Sequence, residues 1–459
     1  MTPNPEMRDA ASSVLDGRAI GRLQVAILLL GLATLLLDGL DLQLLPFLSP
    51  PMIKELGATP LSFSPALAAG MAGMVIGNPL GGMLGDRVGR KWVLAVAVAS
   101  FGLGMIFTAQ VQSVGALTAW RLLCGVGFGA AMPNVLALAA DWTPLRWQTQ
   151  AIGWLQMGPP LGSFSAALIA MAVLPTAGWR GCFLACGVIT LVLVLALVWK
   201  MVESPSYLLR RGFVSKAKAA LERAAGKDSP TPDLAAPPQV ELRMRQSIFS
   251  RVFLRVNLGV SLSIFATSYT AFGLMAWMPL ILVKAGVSMG NTAQSLIYFT
   301  VMALISAPIS AWVAARIGSR ITGLVGLSFA LGAVAAIGLI LQGGAVDGIW
   351  GIRAALGLAG LSLGGVQVVL YAIASTAYPP ESRAGGIGVA TAASRLGGVI
   401  TMLGGGALLS MVKGSLTGFL AALSISIVFS AIGLFIVDRH IPRRRFGGLA
   451  AVSPMGATT

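Results

Sequence analysis

The chain has 459 residues, of which 56% are hydrophobic and 10% are charged, and its formal net charge is +16. Soluble domains carry about 25% charged residues, so this composition excludes an ordinary soluble protein. Apolar runs recur over the whole length, which predicts a protein that crosses the membrane many times. In such a protein the excess of Lys and Arg is a topology signal and does not indicate nucleic-acid binding.

Twelve apolar segments are long enough to span a bilayer at about 20 residues per span. They cover residues 24–48, 62–84, 92–110, 115–139, 150–173, 181–201, 254–283, 293–315, 321–342, 349–375, 385–410 and 416–437. This pattern predicts an all-α membrane protein with two six-helix halves. The predicted parts are an N-terminal segment 1–23, a first half 24–201, a central loop 202–253 with an amphipathic helix near 215–225, a second half 254–437 and a tail 438–459.

The distribution of basic residues predicts the orientation. With the N-terminus inside, the inside segments hold 25 of the 32 Lys and Arg residues, and the outside loops hold four. Loops rich in Lys and Arg stay in the cytoplasm, so both termini are predicted to be cytoplasmic. The remaining three cations, Arg121, Arg353 and Arg395, fall within apolar segments. Arg353 is expected near the outer surface, with its side chain reaching toward water.

Two carboxylates, Asp38 and Asp41, interrupt the first apolar segment. An ionised side chain inside a bilayer costs roughly 2.5–3.5 kcal/mol, so we interpret both as functional. Their spacing puts them on one helix face. For straight helices, Asp38 and Arg121 both lie roughly 9 Å from the outer side of the membrane, which predicts an ion pair between them. A proton on Asp38 would release Arg121 for an anionic substrate.

Alternatives remain for both carboxylates. The predicted pair could be permanent and serve only to hold two helices together. Asp41 could instead reach the outer membrane interface.

Further polar and aromatic residues are candidates for substrate contacts. Arg395 lies roughly 15 Å from the inner end of its segment, near the midplane, where a guanidinium offers a carboxylate two parallel bonds. Gln367 and Tyr371 are four residues apart and could contact ring substituents. Tyr269 and Trp277 could form an apolar wall. The alternatives are pairing of Arg395 with helix-end carbonyls and ordinary packing for the other four.

The second half of the chain repeats motifs of the first half. Residues 82–91 read GMLGDRVGRK and end the second segment, whereas residues 311–320 read AWVAARIGSR and end the eighth. The second copy keeps Arg-x-Gly and has Ala315 where the first has Asp86. The fourth and tenth segments share Arg-x-x-x-Gly, beginning at Arg121 and Arg353. Matching motifs six segments apart, in the same orientation, predict two parallel repeats.

Residues 82–91 resemble the loop signature G-x-x-x-D-R-x-G-R-K of the major facilitator superfamily at every fixed position. Four shorter motifs together resemble its aromatic acid:proton symporter family, which imports benzoate-like and hydroxybenzoate-like acids. They are DGLD at 38–41, MPN at 132–134, ESPSYL at 203–208 and SRLG at 394–397. The chain departs from that family at Pro46, where glycine is usual, and at Asp141, where glutamate is usual.

This resemblance implies a symporter in the bacterial inner membrane that takes up a small aromatic carboxylate, such as a lignin-derived acid, by alternating access. Protons would be the coupling ion, with Asp38 and Asp41 both needed for coupling. The loop signature implies a gating role, holding one conformation closed, for Gly82, Asp86, Arg87, Gly89, Arg90 and Lys91. We expect no cofactor or metal, contact with the lipid bilayer, and a monomer.

Other functions stay open at this point. Residues 153–162 read GWLQMGPPLG and resemble the Gly-Pro motif of drug antiporters, although they could be a packing face of small residues. Export of drugs or metabolites, or import of another organic acid or a sugar, is therefore the alternative. The sequence contains no nucleophile–base pair, metal cluster or cofactor motif, so we do not expect an enzyme.

Overall fold

A computed structural model of the protein describes residues 20–225, 250, 253–343, 348–377, 380–411, 416–438 and 440. These residues form fourteen helices and no strand. The helices are α1 Arg22–Glu55, α2 Pro60–Val88, α3 Arg90–Thr108, α4 Val114–Trp142, α5 Leu145–Leu155, α6 Gly158–Lys200, α7 Pro205–Arg210, α8 Val214–Ala225, α9 Leu254–Lys284, α10 Met289–Ile317, α11 Ser319–Gly343, α12 Ile349–Ala377, α13 Pro380–Met411 and α14 Leu416–Ile436. Within the described residues, eleven helical stretches are long and apolar enough to cross a membrane.

One of these stretches crosses twice. Gln150–Lys200 has 51 residues, roughly 76 Å of helix against a hydrocarbon core of about 30 Å. The helix breaks at Gly178, whose φ of 65° is readily adopted only by glycine. Trp179, beside the break, donates to Glu55 at the end of α1 (2.5 Å), whereas Glu203, just after α6, accepts from the first N–H of α3 (3.0 Å). The two limbs therefore run in opposite directions, and the predicted twelve crossings are confirmed.

The first helix is longer than predicted. It continues beyond residue 48 to Glu55, through Pro46, Pro50 and Pro51. Proline normally ends a helix because it lacks an N–H, and we therefore expected the segment to stop earlier. The hydroxyl of Ser49 donates to the Pro46 carbonyl at 2.8 Å and replaces one of the missing bonds.

The predicted amphipathic helix of the central loop is α8. Its apolar side buries Ala217, Ala220 and Leu221, and the last two join a core cluster with Ile27 of α1. The proline-rich part of the loop and most of the predicted tail lie outside the described residues. The exact domain boundaries stay a prediction.

Small residues bring helices into close contact within each half. Gly73, Gly77 and Gly81 of α2 face α4, and a Cβ on any of them would meet main-chain atoms of that helix. Gly360 and Gly364 of α12 face α10 in the same way. Without side chains in between, the backbones approach closely enough for strong van der Waals packing in lipid. The same device in both halves agrees with the parallel repeat.

The two halves pack against each other at the end of the bundle that holds Glu55. There α1 contacts α9, α2 contacts α13 and α6 contacts α10. Gly406 of α13 lies against Ser64 of α2, and Leu174 of α6 lines the same crevice as Ala293 of α10. The space between the halves is therefore closed at the Glu55 end.

Candidate functional site: a central cavity between the halves

A cavity of about 760 Å³ lies between the two halves. Its polar lining residues are Asp38, Gln43, Gln156, Ser163, Thr300, Gln367, Tyr371, Thr391, Ser394 and Arg395. Its larger apolar lining residues are Leu42, Met132, Phe272, Met275 and Phe299. The charged residues in this lining are Asp38, from the first half, and Arg395, from the second. One carboxylate and one guanidinium thus face the same space from opposite halves.

Asp38 is buried, with 4% of its surface exposed. Its Oδ1 atom has no hydrogen-bond partner among the described residues. Arg395 and Asp41 both act on it electrostatically. Because a buried polar atom needs a hydrogen-bond partner, Asp38 is a place where a proton, a water molecule or a ligand group can supply the missing bond.

Asp41 and Arg121 form a closed ion pair. Nη2 of Arg121 donates to Oδ2 of Asp41 at 2.7 Å, and Nη1 bonds the other carboxylate oxygen. Both side chains are buried, and neither lines the cavity. The predicted pair between Asp38 and Arg121 is therefore wrong. The predicted membrane depths of Asp38 and Arg121 were calculated for straight helices, with α1 ending near residue 48. They are inaccurate because α1 is longer and contains three prolines.

Arg395 projects from α13 into the cavity beside a network of neutral side chains. Gln367 of α12 donates to the Ser268 hydroxyl at 3.3 Å, and Ser268 and Ser394 share a hydrogen bond of 2.8 Å. Tyr371, one turn after Gln367, also lines the cavity. No ion pair joins Arg395 to a carboxylate of the described residues. Its positive charge is therefore available to an anion.

A second polar cluster lies at the loop between α2 and α3. Gly89, with φ of 117°, lies between α2 and α3 and caps both helices. Arg90 bonds Asp86 at 3.3 Å and also bonds Asp141 at the end of α4. The carboxylate of Glu203 accepts from the first backbone N–H groups of α3, where the helix dipole favours a negative charge. The cluster ties α2, α3 and α4 to the segment after α6.

Residues 28–400 match the family model described as the Major Facilitator Superfamily. The chain belongs to the major facilitator superfamily. A gallate transporter of Pseudomonas putida is 30% identical over 432 residues, which cover 90% of this chain and 93% of that protein. A 3-(3-hydroxy-phenyl)propionate transporter of Escherichia coli is 29% identical, with coverages of 88% and 91%. The 4-hydroxybenzoate transporter PcaK of Pseudomonas aeruginosa is 28% identical, with coverages of 86% and 89%.

Two solved transporter structures share the fold. A bacterial homologue of the human lysosomal transporter Spinster matches with a TM-score of 0.71 at 15% identity, covering 91% of this chain and 97% of that one. The proton:xylose symporter XylE matches with a TM-score of 0.63 at 18% identity, with coverages of 91% and 96%. The predicted fold is confirmed, and membership of this superfamily shows a transporter and not an enzyme.

The predicted substrate residues divide into two groups in this superfamily fold. Arg395, Gln367 and Tyr371 line the cavity, whereas Arg121, Tyr269 and Trp277 are absent from the lining that the described residues form. Trp277 is fully buried and donates to the Thr401 carbonyl at 3.2 Å, so its predicted place in the cavity wall is wrong. Met275, which does line the cavity, precedes Trp277 by two positions, about 200° around the helix.

The predicted gating residues also differ in their surroundings. Asp86, Gly89 and Arg90 belong to the cluster between α2, α3 and α4. The side chain of Arg87 is exposed, and the ammonium of Lys91 lies 5.4 Å from the ring of Trp92. Around Gly82, no atom would lie within 4 Å of an added Cβ. The gating role of all six residues stays a prediction.

Sequence reasoning missed several polar residues of the cavity. Gln43 donates to the Met275 carbonyl at 3.3 Å and so joins the two halves. Ser163, Thr300 and Thr391 also line the cavity. Each is a polar residue inside an apolar segment, and this is a signal that the sequence contains. However, hydroxyl side chains in helices commonly bond the backbone of their own helix, so their presence does not by itself indicate a cavity.

Arg353 was expected to reach toward the surface, and that prediction is wrong. It is 7% exposed. It donates to Asn291 at 3.0 Å and to Gln294 at 2.7 Å, both in α10. Its Nη2 atom is thus held by neutral amides, which the charge pattern does not reveal, and its Nε atom has no hydrogen-bond partner among the described residues.

Proposed function

We propose that this protein imports an aromatic carboxylic acid of the benzoate, hydroxybenzoate or lignin-derived type, together with protons, across a bacterial inner membrane. The observation that carries this proposal is the cavity in which Arg395 and Asp38 face the same space from opposite halves. The relatives support the substrate class, because their names specify gallate, 4-hydroxybenzoate and 3-(3-hydroxy-phenyl)propionate. The two halves rock about this cavity, as in other transporters built from repeats.

The cavity suits a flat ring with one carboxylate. Its volume of about 760 Å³ is in the usual range for small-molecule sites. Arg395 binds the carboxylate through two parallel hydrogen bonds. Phe272 and Phe299 provide apolar surface for the ring, and Gln367 and Tyr371 bond its hydroxyl groups. The remaining hydroxyl and amide side chains of the lining favour substrates with more than one ring substituent.

The charges on either side of the cavity support the proposed proton coupling. While Asp38 is ionised, it attracts Arg395 and competes with the substrate carboxylate. A proton on Asp38 removes this competition, so proton and substrate bind together. Asp41, held by Arg121 in this conformation, is the second proposed proton site. One proton with one anion is electrically neutral, and a second proton adds about 2.3 kcal/mol per 100 mV of membrane potential.

The proposed orientation places both termini in the cytoplasm, because the inside loops hold most of the basic residues. The Glu55 end is then periplasmic, and the packed halves close the cavity on that side. The loop cluster around Arg90 lies at the cytoplasmic end, and its proposed role is to hold one conformation closed. The transporter works as a monomer and needs no cofactor other than the proton.

Export is the function that the test must separate from import. Gly158 and Gly162, from the stretch that resembles the antiporter motif, pack against Leu35 and Leu36 of α1. This contact supports the interpretation of that stretch as a packing face. No described contact of these residues favours export.

The test is uptake of labelled 4-hydroxybenzoate and gallate into proteoliposomes with an acidic exterior. We expect accumulation that stops when a protonophore dissipates the gradient. Arg395→Gln should lower uptake at least about ten-fold, since a charge-assisted bond contributes roughly 1.5–3 kcal/mol. Arg320→Gln is the matched control, because Arg320 lies over the Phe435 ring, away from the cavity.

Two results would contradict the proposal. Uptake that does not respond to the proton gradient would contradict the proposed proton coupling. Efflux of cationic dyes, without uptake of either acid, would assign the cavity to export.

A further inference from the structure

A second cavity, of about 710 Å³, lies at the end of the bundle opposite Glu55. It forms where α1, α3, α6 and the amphipathic helix α8 come together, and it shares no lining residue with the central cavity. Its charged lining residues are Arg22, Lys91, Lys200, Lys216, Arg223 and Glu203. Five cations and one carboxylate thus converge on one concave site.

The positive charge of this basic cavity is not neutralised by the protein. None of the five cations forms an ion pair with a carboxylate of the described residues. Glu203 is already engaged, because its carboxylate accepts from the backbone N–H groups of Arg90, Lys91 and Ser204. Clustered cations in a concave, partly apolar site concentrate anions, so the cavity should bind a negatively charged group.

The surroundings of the basic cavity point to a membrane lipid as the source of that charge. Trp199 and Trp92 line it and are 88% and 52% exposed, as expected for side chains at the membrane–water interface. Beyond them, α1, α3 and α6 expose Leu29, Val96 and Leu195 at 60%, 66% and 67%. Acyl chains can lie on this apolar strip, whereas a free anion would make no use of it.

We propose that the basic cavity binds the phosphate headgroup of an anionic phospholipid whose acyl chains lie along α1, α3 and α6. Basic pockets at the cytoplasmic ends of membrane helices are suited to such headgroups. A bound lipid bridges Lys91 of the gating loop to Lys216 and Arg223 of α8. It therefore fastens the central loop to the first half of the transporter.

The test measures lipid binding to the full-length protein in detergent by native mass spectrometry, with dioleoyl phosphatidylglycerol and dioleoyl phosphatidylcholine as probes. The cavity variant carries Lys200→Gln, Lys216→Gln and Arg223→Gln. The control variant carries Lys54→Gln, Lys218→Gln and Lys284→Gln, which removes the same charge from exposed positions outside the cavity. We expect the cavity variant to bind phosphatidylglycerol about ten-fold more weakly or worse, and the control to match the wild type.

Several outcomes would overturn the proposal. Equal affinity of the wild type for both lipids, or an equal loss in the control variant, would show that the cavity does not select an anionic headgroup. Competition by inorganic phosphate at concentrations equal to the lipid would identify a free-anion site instead. If the triple variant fails to fold, Lys200→Gln alone serves, with an expected loss of about five-fold, and unchanged affinity would count against the lipid.

Discussion

The two halves of the protein repeat a buried arginine and surround it differently. Arg121 bonds both oxygens of Asp41, whereas Arg353, its counterpart, bonds the neutral amides of Asn291 and Gln294. The repeat therefore preserves the cation and changes the charge of its partner. In the first half the cation forms an ion pair with a titratable carboxylate of α1, whereas in the second half it bonds neutral amides of α10, the counterpart of α2.

The equivalent loops of the two halves differ in the same direction. Gly89 and Gly318 both have a positive φ, of 117° and 88°, so the sharp turn is common to both. Only the first loop has an aspartate, Asp86, which bonds Arg90, and Ala315 stands at the matching position. Ionisable machinery is thus concentrated in the first half, and the second half contributes the cation that faces the cavity.

The largest expected effect is a loss of stability when the buried arginine of either half is removed. Arg121→Met leaves Asp41 buried without its counter-charge, which costs about 3–5 kcal/mol. Arg353→Met leaves two neutral amide oxygens without a donor, which costs about 1–3 kcal/mol. Thermal unfolding in detergent should therefore show a larger drop in melting temperature for the first variant than for the second.

A double variant provides the control for this comparison. Asp41→Leu combined with Arg121→Met removes both charges together and should recover most of the lost stability, because a buried ion pair is often replaceable by apolar side chains. Equal drops in melting temperature for Arg121→Met and Arg353→Met would show that the charge of the arginine's partner does not affect stability.

The next effect concerns coupling. Asp38→Asn keeps the size of the side chain and cannot ionise, so proton-driven accumulation should disappear while exchange of substrate across the membrane continues. Binding of 4-hydroxybenzoate should also lose its dependence on pH, since no carboxylate competes for Arg395. Isothermal titration over a range of pH measures the pH dependence of binding. Assays in proteoliposomes measure exchange and accumulation.

Asp41→Asn serves as the comparison for that variant. It should also abolish accumulation, and in addition it should lower the melting temperature, because Arg121 loses its counter-charge. Accumulation at the wild-type level in either variant would remove that aspartate from the coupling mechanism.

The smallest expected effect on stability is at the loop. Asp86→Ala makes the first loop resemble the second and removes an i,i+4 ion pair, which contributes only about 0.3–0.5 kcal/mol. The melting temperature should change little, whereas the transport rate should fall if Asp86 holds one conformation closed. A drop in melting temperature as large as that of Arg121→Met would instead assign Asp86 to the stability of the fold.

The fold was largely predictable because apolar length and basic loops decide the number of crossings and their direction. The twelve crossings, the repeat and α8 all follow from such patterns. The end of α1 was not predictable, because Pro46 and Pro50 normally mark a boundary and here lie inside a helix. Packing around these prolines outweighs a local preference that the sequence shows plainly.

The site was predictable to the extent that polar residues stand out in apolar helices. Asp38, Arg395 and Gln367 were identified in this way, and all three line the cavity. The partner of Arg121 was not predictable from the sequence. Asp38 and Asp41 are within about one helical turn, 5.4 Å, of each other, and depth estimates for straight helices cannot distinguish positions that close. The direction of Trp277 was not predictable either, because a helix that is apolar on all sides does not reveal which side faces the cavity.

The prolines of α1 divide this helix into two mechanical parts. Pro46 has no hydrogen to give to the carbonyl of Leu42, four residues earlier. Pro50 likewise leaves the Pro46 carbonyl without a backbone donor, and Ser49 supplies a bond from its side chain. The segment beyond residue 42 is therefore held by fewer backbone bonds than the segment before it.

The segment before residue 42 is the stiffer one and carries Asp38 and Asp41. The segment beyond residue 42 is more flexible and reaches to Glu55, where the halves are packed. In the proposed transport cycle the halves separate at that end, and we expect bending to be concentrated in the segment beyond residue 42. We therefore expect the Glu55 end of the helix to move while Asp38 and Asp41 keep their positions relative to the cavity.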